Sequence, residues 1–144
     1  MVTDGWRDWV QQRLSIILVF VSVGGLCVSV LLISLNRVVL GGGLAMLAIL
    51  AAAFACYRGS CMRGSPPSIK EAVGVALLYA VACSAPLYYF MSIILHAMGE
   101  AGIAVDFSAF RWGILFIAVG TFVAVLVSEL KVRAKFASRK VERR

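Results

Sequence analysis

The sequence predicts an all-α membrane protein: a four-transmembrane-helix bundle with cytoplasmic N and C termini and a basic amphipathic C-terminal tail. Three observations support this fold class. Of the 144 residues, 62% are hydrophobic, whereas an average soluble domain is about 45–50% apolar. The excess lies in four long runs that contain no Asp, Glu, Lys or Arg. The basic residues are divided unevenly between the segments that connect these runs, as in membrane proteins of fixed orientation.

The four runs are predicted to be transmembrane helices at about residues 14–35, 38–57, 72–98 and 112–128. A spanning helix needs about 20 apolar residues; the first three runs meet this length and the fourth only just does. The first run is longer than the apolar part of a cleaved signal peptide, so it is interpreted as a retained anchor. Residues 1–130 thus form the predicted bundle and residues 131–144 the tail.

The positive charges set the predicted orientation. Twelve of the fourteen Lys and Arg residues lie before the first run, between the second and third runs, or after the fourth. Because cytoplasmic segments collect Lys and Arg, both termini are expected in the cytoplasm. The small size and the strong bias indicate a bacterial inner-membrane protein. Ser68, followed by Glu71 three residues later, predicts a capping box where the third helix begins.

Small residues at four-residue spacing mark candidate packing faces. These stripes are Ala72, Ala76, Ala80 and Ser84 in the third run, and Gly120, Ala124 and Ser128 in the fourth. They predict internal packing of the bundle or, alternatively, the interface with a partner or a second copy. Pro86 is expected to bend the third helix, because proline removes a helical hydrogen bond. Ser84 or a neighbour is expected to satisfy the carbonyl that this frees.

Catalytic and ion-coupling groups are scarce in the sequence. Glu71 and Glu129 lie at the predicted inner ends of two runs, where they are expected to reach water or a basic neighbour. The middle of every run lacks an ionisable acid or base, which argues against a proton- or cation-coupled transporter. His96 is the only histidine, and no nucleophile–base set or phosphate-binding loop is recognisable. The sequence therefore predicts a protein that is not an enzyme and has no cofactor.

Cys56 and Cys61 offer an alternative metal site at the inner end of the second run. The arrangement resembles mercuric-ion transport proteins, which combine an intramembrane cysteine pair with a second pair toward the cytoplasm. The resemblance implies that Cys56 and Cys61 are the second pair, while the first run carries Cys27 alone. The other interpretation is two small, membrane-compatible residues near a helix end.

The tail is the most strongly charged segment. Its basic residues are Lys131, Arg133, Lys135, Arg139, Lys140, Arg143 and Arg144. An apolar stripe is predicted beside them at Leu130, Ala134, Ala137 and Val141. The tail is expected to lie on an anionic inner leaflet, where each positive charge contributes roughly 1 kcal/mol, or to dock to a protein partner. Nucleic acid is not expected as a partner.

These features together predict a small, non-enzymatic integral membrane protein that acts through protein–protein interaction. It would be an accessory subunit of a membrane complex or a membrane immunity or regulatory protein, with a membrane protein or a second copy as its partner. The alternative is a small oligomeric transporter or channel, with a soft metal ion as one candidate solute, or a holin-like pore former.

Overall fold

The computed structural model describes residues 3–61 and 65–142, with side chains described for residues 13–14, 16–61 and 65–138. This part of the chain is helical and contains no strand. Its helices are α1 (Thr3–Ser34), α2 (Val38–Cys61), α3 (Ile69–Glu100) and α4 (Phe107–Glu142). Each includes a segment long and apolar enough to cross a membrane: Ile16–Ser34, Val38–Cys61, Ile69–Glu100 and Phe107–Ser138. The predicted all-α class with four candidate spans is confirmed, and the fourth helix is longer than its uncharged run.

Two helices end in the same way, with a residue in the left-handed conformation. Asn36 has a φ of 61° after α1, and Gly102 has a φ of 81° after α3. In each case the next amide bonds back to a carbonyl of the last turn: Arg37 to Leu32 at 2.8 Å and Ile103 to Met98 at 3.0 Å. This pattern is the Schellman motif, which satisfies carbonyl groups that a helix end leaves without partners.

Side chains cap the starts of α3 and α4. The Ser68 hydroxyl accepts from the Glu71 amide at 3.2 Å, and the Glu71 carboxylate accepts from the Ser68 amide at 2.7 Å, which confirms the predicted capping box. The Asp106 carboxylate accepts from the amides of Ser108 and Ala109 at 2.9 and 3.0 Å. Because Asp106 supplies this cap, α4 begins at Phe107, ahead of the predicted start at residue 112.

Helix α4 is the central element of the bundle. It packs against each of the other three helices, whereas α2 and α3 have no pair of described Cα atoms within 8 Å of each other. The main core therefore forms around α4, between the α1–α2 hairpin on one side and α3 on the other. Its buried members are Leu26, Val30, Ala45, Ala48, Ile49, Leu87, Met91, Leu95, Phe110 and Ile117.

The α1–α2 hairpin is held by backbone contact at Gly41. A Cβ atom placed on Gly41 would lie 2.6 Å from Cγ1 of Ile33 and 2.7 Å from the carbonyl oxygen of Ser29. The Ser29 hydroxyl donates to the Gly41 carbonyl oxygen at 2.8 Å, so a buried hydrogen bond accompanies the close approach. Small residues let membrane helices approach in this way, and dispersion and polar contacts then stabilise the pair.

Beyond the predicted fourth span, α4 continues without interruption through the basic segment to Glu142. Val132 is buried and Phe136 half-buried, so these two residues face the bundle. Leu130, Ala134 and Ala137 are exposed instead, beside the exposed Lys131, Arg133 and Lys135, and the Val141 side chain lies outside the described residues. The predicted apolar stripe is therefore not the side of this segment that packs inward.

Candidate functional site: a carboxyl group buried between α2 and α4

A carboxyl group is fully enclosed near the end of the bundle where α2 finishes. Glu129 of α4 is 0% exposed, and it meets Ser60 and Cys56 of α2, which are buried as well. Oε1 of Glu129 accepts a hydrogen bond from the Ser60 hydroxyl. The same oxygen accepts a second one from the Cys56 thiol, with 3.5 Å between sulfur and oxygen. We refer to Glu129, Ser60 and Cys56 as the carboxyl cluster.

Helical spacing on both elements positions the carboxyl cluster. Cys56 and Ser60 are four residues apart, so they lie on one face of α2. On α4 the fully enclosed residues Ile117, Thr121, Val125 and Glu129 recur at the same interval. Glu129 thus continues the packing stripe of α4, and the adjacent small residues of α2 leave room for its side chain.

Two polar atoms in this region have no hydrogen-bond partner. They are Oε2 of Glu129 and the Thr121 hydroxyl oxygen, the buried, unpartnered side-chain polar atoms of the described part of the chain. The two residues are eight positions apart on α4, a rise of about 12 Å. Most buried polar atoms in folded proteins are paired, as the buried serines Ser29, Ser34 and Ser60 are here, so these two atoms are exceptions within the described core.

The expectation that Glu129 reaches water is wrong, because its side chain is 0% exposed and points into the bundle. Among the described residues, no basic side chain forms an ion pair with it. Lys131, two residues further on, is exposed, because two helical steps turn a side chain by about 200°. Glu71, by contrast, is exposed as expected. Nε2 of His96 lies 3.8 Å from Oε1 of Glu100 on the surface near the other end of α3.

Cys56 and Cys61 lie on different faces of α2, and their proposed metal role stays a prediction. Both belong to α2, where a five-residue separation places them about 140° apart around the helix. Cys56 is buried against Glu129, whereas Cys61 is half-buried. The described residues contain no group of three or more His, Cys, Asp or Glu side chains that could hold a metal ion.

The small-residue stripe of α3 faces the bundle interior. Ala72, Ala76 and Ala80 are 2%, 0% and 7% exposed, and Ser84 is half-buried. The Ser84 hydroxyl donates to the Ala80 carbonyl at 2.7 Å. It therefore does not satisfy the Ala82 carbonyl, the one that Pro86 leaves without an amide donor. Pro86 is exposed and lies within a single continuous helix.

The stripe of α4 also has neighbours within the chain. A Cβ atom on Gly120 would lie 2.9 Å from Cδ1 of Ile49, so this glycine admits the α2 side chain. Ala124 packs against the main core, and the Ser128 hydroxyl donates to the Ala124 carbonyl at 2.8 Å. A docking role for these residues stays a prediction, and a partner would have to share the face with α2.

The basic residues of the tail are described only in part. Lys131, Arg133 and Lys135 are exposed. The side chains of Arg139, Lys140, Arg143 and Arg144, as well as Arg63 in the loop after α2, lie outside the described residues. Their predicted contact with lipid headgroups or a partner stays a prediction.

Helix α3 leaves more of its surface uncovered than the others. Over the described residues, 17% of its span is buried inside the bundle, against 28–33% for the other three. Its outward side carries Tyr89, which is 65% exposed. The Tyr89 ring contacts Phe90 edge-on, with 5.9 Å between centroids, and its hydroxyl bonds to no described protein group. We refer to Tyr89, Phe90, Pro86 and Leu78 as the α3 outer face; all four are exposed.

The fold and these sites define the class of protein as a multi-pass α-helical membrane protein with four candidate spans. Comparison with known protein families, curated proteins and solved structures finds no match for this chain.

Ser60 and Thr121 were not predicted as members of a polar site. The sequence does contain a signal for Thr121, because Thr121, Val125 and Glu129 repeat at four-residue spacing, one residue after Gly120, Ala124 and Ser128. A carboxylate that continues a packing stripe at helical spacing is expected to face the interior.

Proposed function

We propose that the protein is a non-enzymatic inner-membrane protein that acts by binding a transmembrane helix of another membrane protein. Exposure of the α3 outer face is the observation that carries this proposal. Helix α3 is about 48 Å long at 1.5 Å per residue, and Tyr89 lies about 16 Å from its end, inside a hydrocarbon layer about 30 Å thick. A phenol hydroxyl at that depth has no water to bond, so a partner helix with a polar group would satisfy it.

The orientation belongs to the same proposal. Both termini are cytoplasmic, because twelve of the fourteen Lys and Arg residues precede the first apolar run, connect the second to the third, or follow the fourth. The small size and this strong bias favour the bacterial inner membrane. The exposed Lys131, Arg133 and Lys135 lie along anionic lipid headgroups on the cytoplasmic side. Accessory subunits and membrane immunity or regulatory proteins both fit this description.

Site-specific photo-cross-linking in the producing cell tests the docking face. A photo-reactive phenylalanine analogue replaces Tyr89, and the matched control carries it at Phe20 of α1, which is 74% exposed. We expect position 89 to give one cross-linked product with a different membrane protein, and position 20 to give none with that protein. Lipid adducts alone at position 89 would refute the proposal. A product of twice the chain mass would replace the foreign partner with a second copy.

A small oligomeric transporter or channel is the second candidate, and the burial of Glu129 favours it. An ionisable group enclosed within a transmembrane bundle is a functional pointer by default. Reconstitution in liposomes tests this role: ion or solute flux that disappears in Glu129→Gln would support it. If vesicles that contain the wild-type protein pass no more ions or solute than empty vesicles, the transporter or channel role is refuted. The soft-metal version further requires that Cys56→Ser combined with Cys61→Ser abolish metal uptake or metal sensitivity.

A further inference from the structure

An open cleft lies between α2 and α4 at the end of the bundle opposite the carboxyl cluster. Its volume is about 460 Å³, within the range of about 300–1,000 Å³ that is usual for small-molecule sites. Every residue that lines it is apolar or aromatic, and the lining includes Ile33, Val38, Gly42, Trp112, Gly113 and Phe116. The cleft therefore accepts hydrocarbon and presents no charged group along its walls.

Two glycines shape this cleft, which we call the α2–α4 cleft. Gly42 lines it from α2, and a Cβ atom placed there would have no neighbouring atom within 4 Å. Gly113 lines it from α4, and a Cβ atom there would lie 3.3 Å from Cδ1 of Ile33. The buried Ile33 side chain of α1 thus closes the cleft on the inner side, while the space beside Gly42 stays open to the surroundings of the bundle.

Two arginines lie beside the α2–α4 cleft. Arg37 directly precedes the lining residue Val38, and its side chain is exposed. Arg111, also exposed, directly precedes Trp112. The Trp112 ring is 68% exposed and separates the α2–α4 cleft from a second one of about 480 Å³, which Arg111 and Ser108 line. Among the described residues, no acidic side chain forms an ion pair with either arginine.

The depth of these groups matches the headgroup level of a bilayer. Val38 is the first residue of α2, and Trp112 lies five residues into α4, about 8 Å from the start of that helix. Tryptophan rings are favoured at the membrane–water interface, and arginine side chains extend toward it. Asp106, the acid closest to Arg111 in the sequence, already accepts hydrogen bonds from two amides at the start of α4.

We propose that the α2–α4 cleft binds one anionic phospholipid, with an acyl chain between the two helices and the phosphate group near Arg37 and Arg111. The charge of the site selects this occupant, because a phospholipid combines a hydrocarbon chain with a negative group at interfacial depth. Basic pockets between transmembrane helices bind anionic headgroups in this way. No residue of α3 lines the cleft, so failure of the proposed docking at the α3 outer face leaves the lipid site standing.

Tryptophan fluorescence of the full chain in vesicles tests the site. Trp6→Phe combined with Trp9→Phe leaves Trp112 as the remaining tryptophan. Vesicles of phosphatidylcholine receive a small fraction of either phosphatidylglycerol or phosphatidylcholine that is brominated on its acyl chains, because bromine quenches a nearby indole ring. We expect the anionic lipid to be preferred at Trp112 on the order of tenfold, since each arginine contributes roughly a factor of five. Equal quenching by the two lipids would overturn the proposal, and so would no quenching by either, which would show that a second copy covers the cleft.

Filling the cleft gives a matched pair of variants. Gly42→Leu places a side chain in the cleft, whereas Gly43→Leu places the same side chain one residue further on, outside the lining. A Cβ atom at either position has no neighbouring atom within 4 Å, so we expect both variants to fold. Gly42→Leu should lose the preference for brominated phosphatidylglycerol, and Gly43→Leu should keep it. The same preference in both variants would show that the lipid binds elsewhere.

The arginines test the position of the headgroup. Arg37→Gln and Arg111→Gln should each lower the preference for the anionic lipid about fivefold. Arg133→Gln is the control, because it removes an exposed positive charge near the opposite end of α4, and it should leave the quenching of Trp112 unchanged. A full preference in both Arg37→Gln and Arg111→Gln would refute the proposed site, because the cleft would then have no group that selects a negative charge.

Discussion

Single residues decide how closely the helices of this bundle meet, and Gly41 and Glu129 do so in opposite ways. Gly41 brings α1 and α2 together because it has no side chain at a point where a Cβ atom would overlap a backbone oxygen. Glu129 joins α4 to α2 because it extends a long polar side chain to Ser60. In an apolar solvent, both close contact and interhelical hydrogen bonds stabilise helix pairs.

Replacing Gly41 with alanine is expected to destabilise the protein. The added methyl group would lie 2.6 Å from Ile33 and 2.7 Å from the Ser29 carbonyl oxygen, and such overpacking typically costs about 1–3 kcal/mol. The better helix propensity of alanine offsets up to about 1 kcal/mol. Gly42→Ala is the matched control, because no atom lies within 4 Å of its added methyl group. Thermal unfolding in detergent should show a lower midpoint for Gly41→Ala and an equal or higher one for Gly42→Ala; equal midpoints for all three proteins would contradict the role of Gly41.

Substitutions at two serines compare a hydrogen bond between helices with a hydrogen bond inside one helix. Ser60→Ala removes the hydrogen bond between α2 and Glu129 and should destabilise the fold by about 1 kcal/mol, within the range for polar contacts between membrane helices. Ser128→Ala removes only a bond to the carbonyl four residues earlier on the same helix, so little change is expected. Unfolding in graded detergent mixtures measures both. Similar losses in the two variants would show that the Ser60–Glu129 bond contributes nothing specific.

What the sequence predicts at this scale depends on how local the interaction is. The Ser68–Glu71 capping box was predictable, because its donors and acceptors lie within four consecutive residues. The enclosure of Glu129 was not, because water access at that position is determined by Cys56 and Ser60 on a helix about seventy residues earlier in the chain. The end of the uncharged run locates Glu129 along α4. The side of the helix on which its side chain lies becomes clear only when the four-residue spacing of the enclosed residues of α4 is followed to its end.

Among the elements, α4 depends most on its starting cap. Asp106 satisfies two amides of the first turn, and its own amide bonds to the Ser34 carbonyl oxygen at 3.0 Å, which joins the start of α4 to the end of α1. The side-chain cap thus sets the residue at which α4 begins, and the backbone bond holds that start against the end of α1.

Asp106→Ala should therefore lower stability by about 1 kcal/mol, the usual cost of losing a cap. Asp106→Asn retains an oxygen that can accept the same amide bonds, so it should remain within a few tenths of a kcal/mol of the wild type. Thermal melts followed by circular dichroism distinguish the two. If alanine and asparagine behave alike, the side-chain cap is not what holds the start of α4.

Helix extents were predictable to the degree that charge and hydrophobicity define them. The uncharged runs located all four helices, but α1 and α4 continue well past those runs into charged segments. Polar and charged residues continue a helix outside the membrane as readily as apolar ones within it. The length of an uncharged apolar run therefore predicts the part of a helix that is suited to the lipid interior, and not the full length of the helix.

At the scale of the whole molecule, the orientation in the membrane is open to a direct test. Four spans with cytoplasmic termini should leave a fluorescent protein fused after Arg144 bright and alkaline phosphatase at the same place inactive, because the first folds in the bacterial cytoplasm and the second requires the oxidising periplasm. The matched fusion is placed after Ile103, in the loop between α3 and α4, and should give the reverse pattern. The same pattern at both points would refute four spans.

The position of α4 also has a consequence for how the chain assembles. A ribosome produces α1 and α2 first, and these two can pair through Gly41 without any later segment. Helix α3 emerges next; its described residues have no close backbone approach to α2, and it packs mainly on α4 with a smaller contact to α1. The bundle can close only when the last helix has entered the membrane, so until synthesis is nearly finished α3 has only its limited contact with α1. A chain that stops before Phe107 would leave a paired hairpin and a loosely attached third helix, a ready target for membrane quality control.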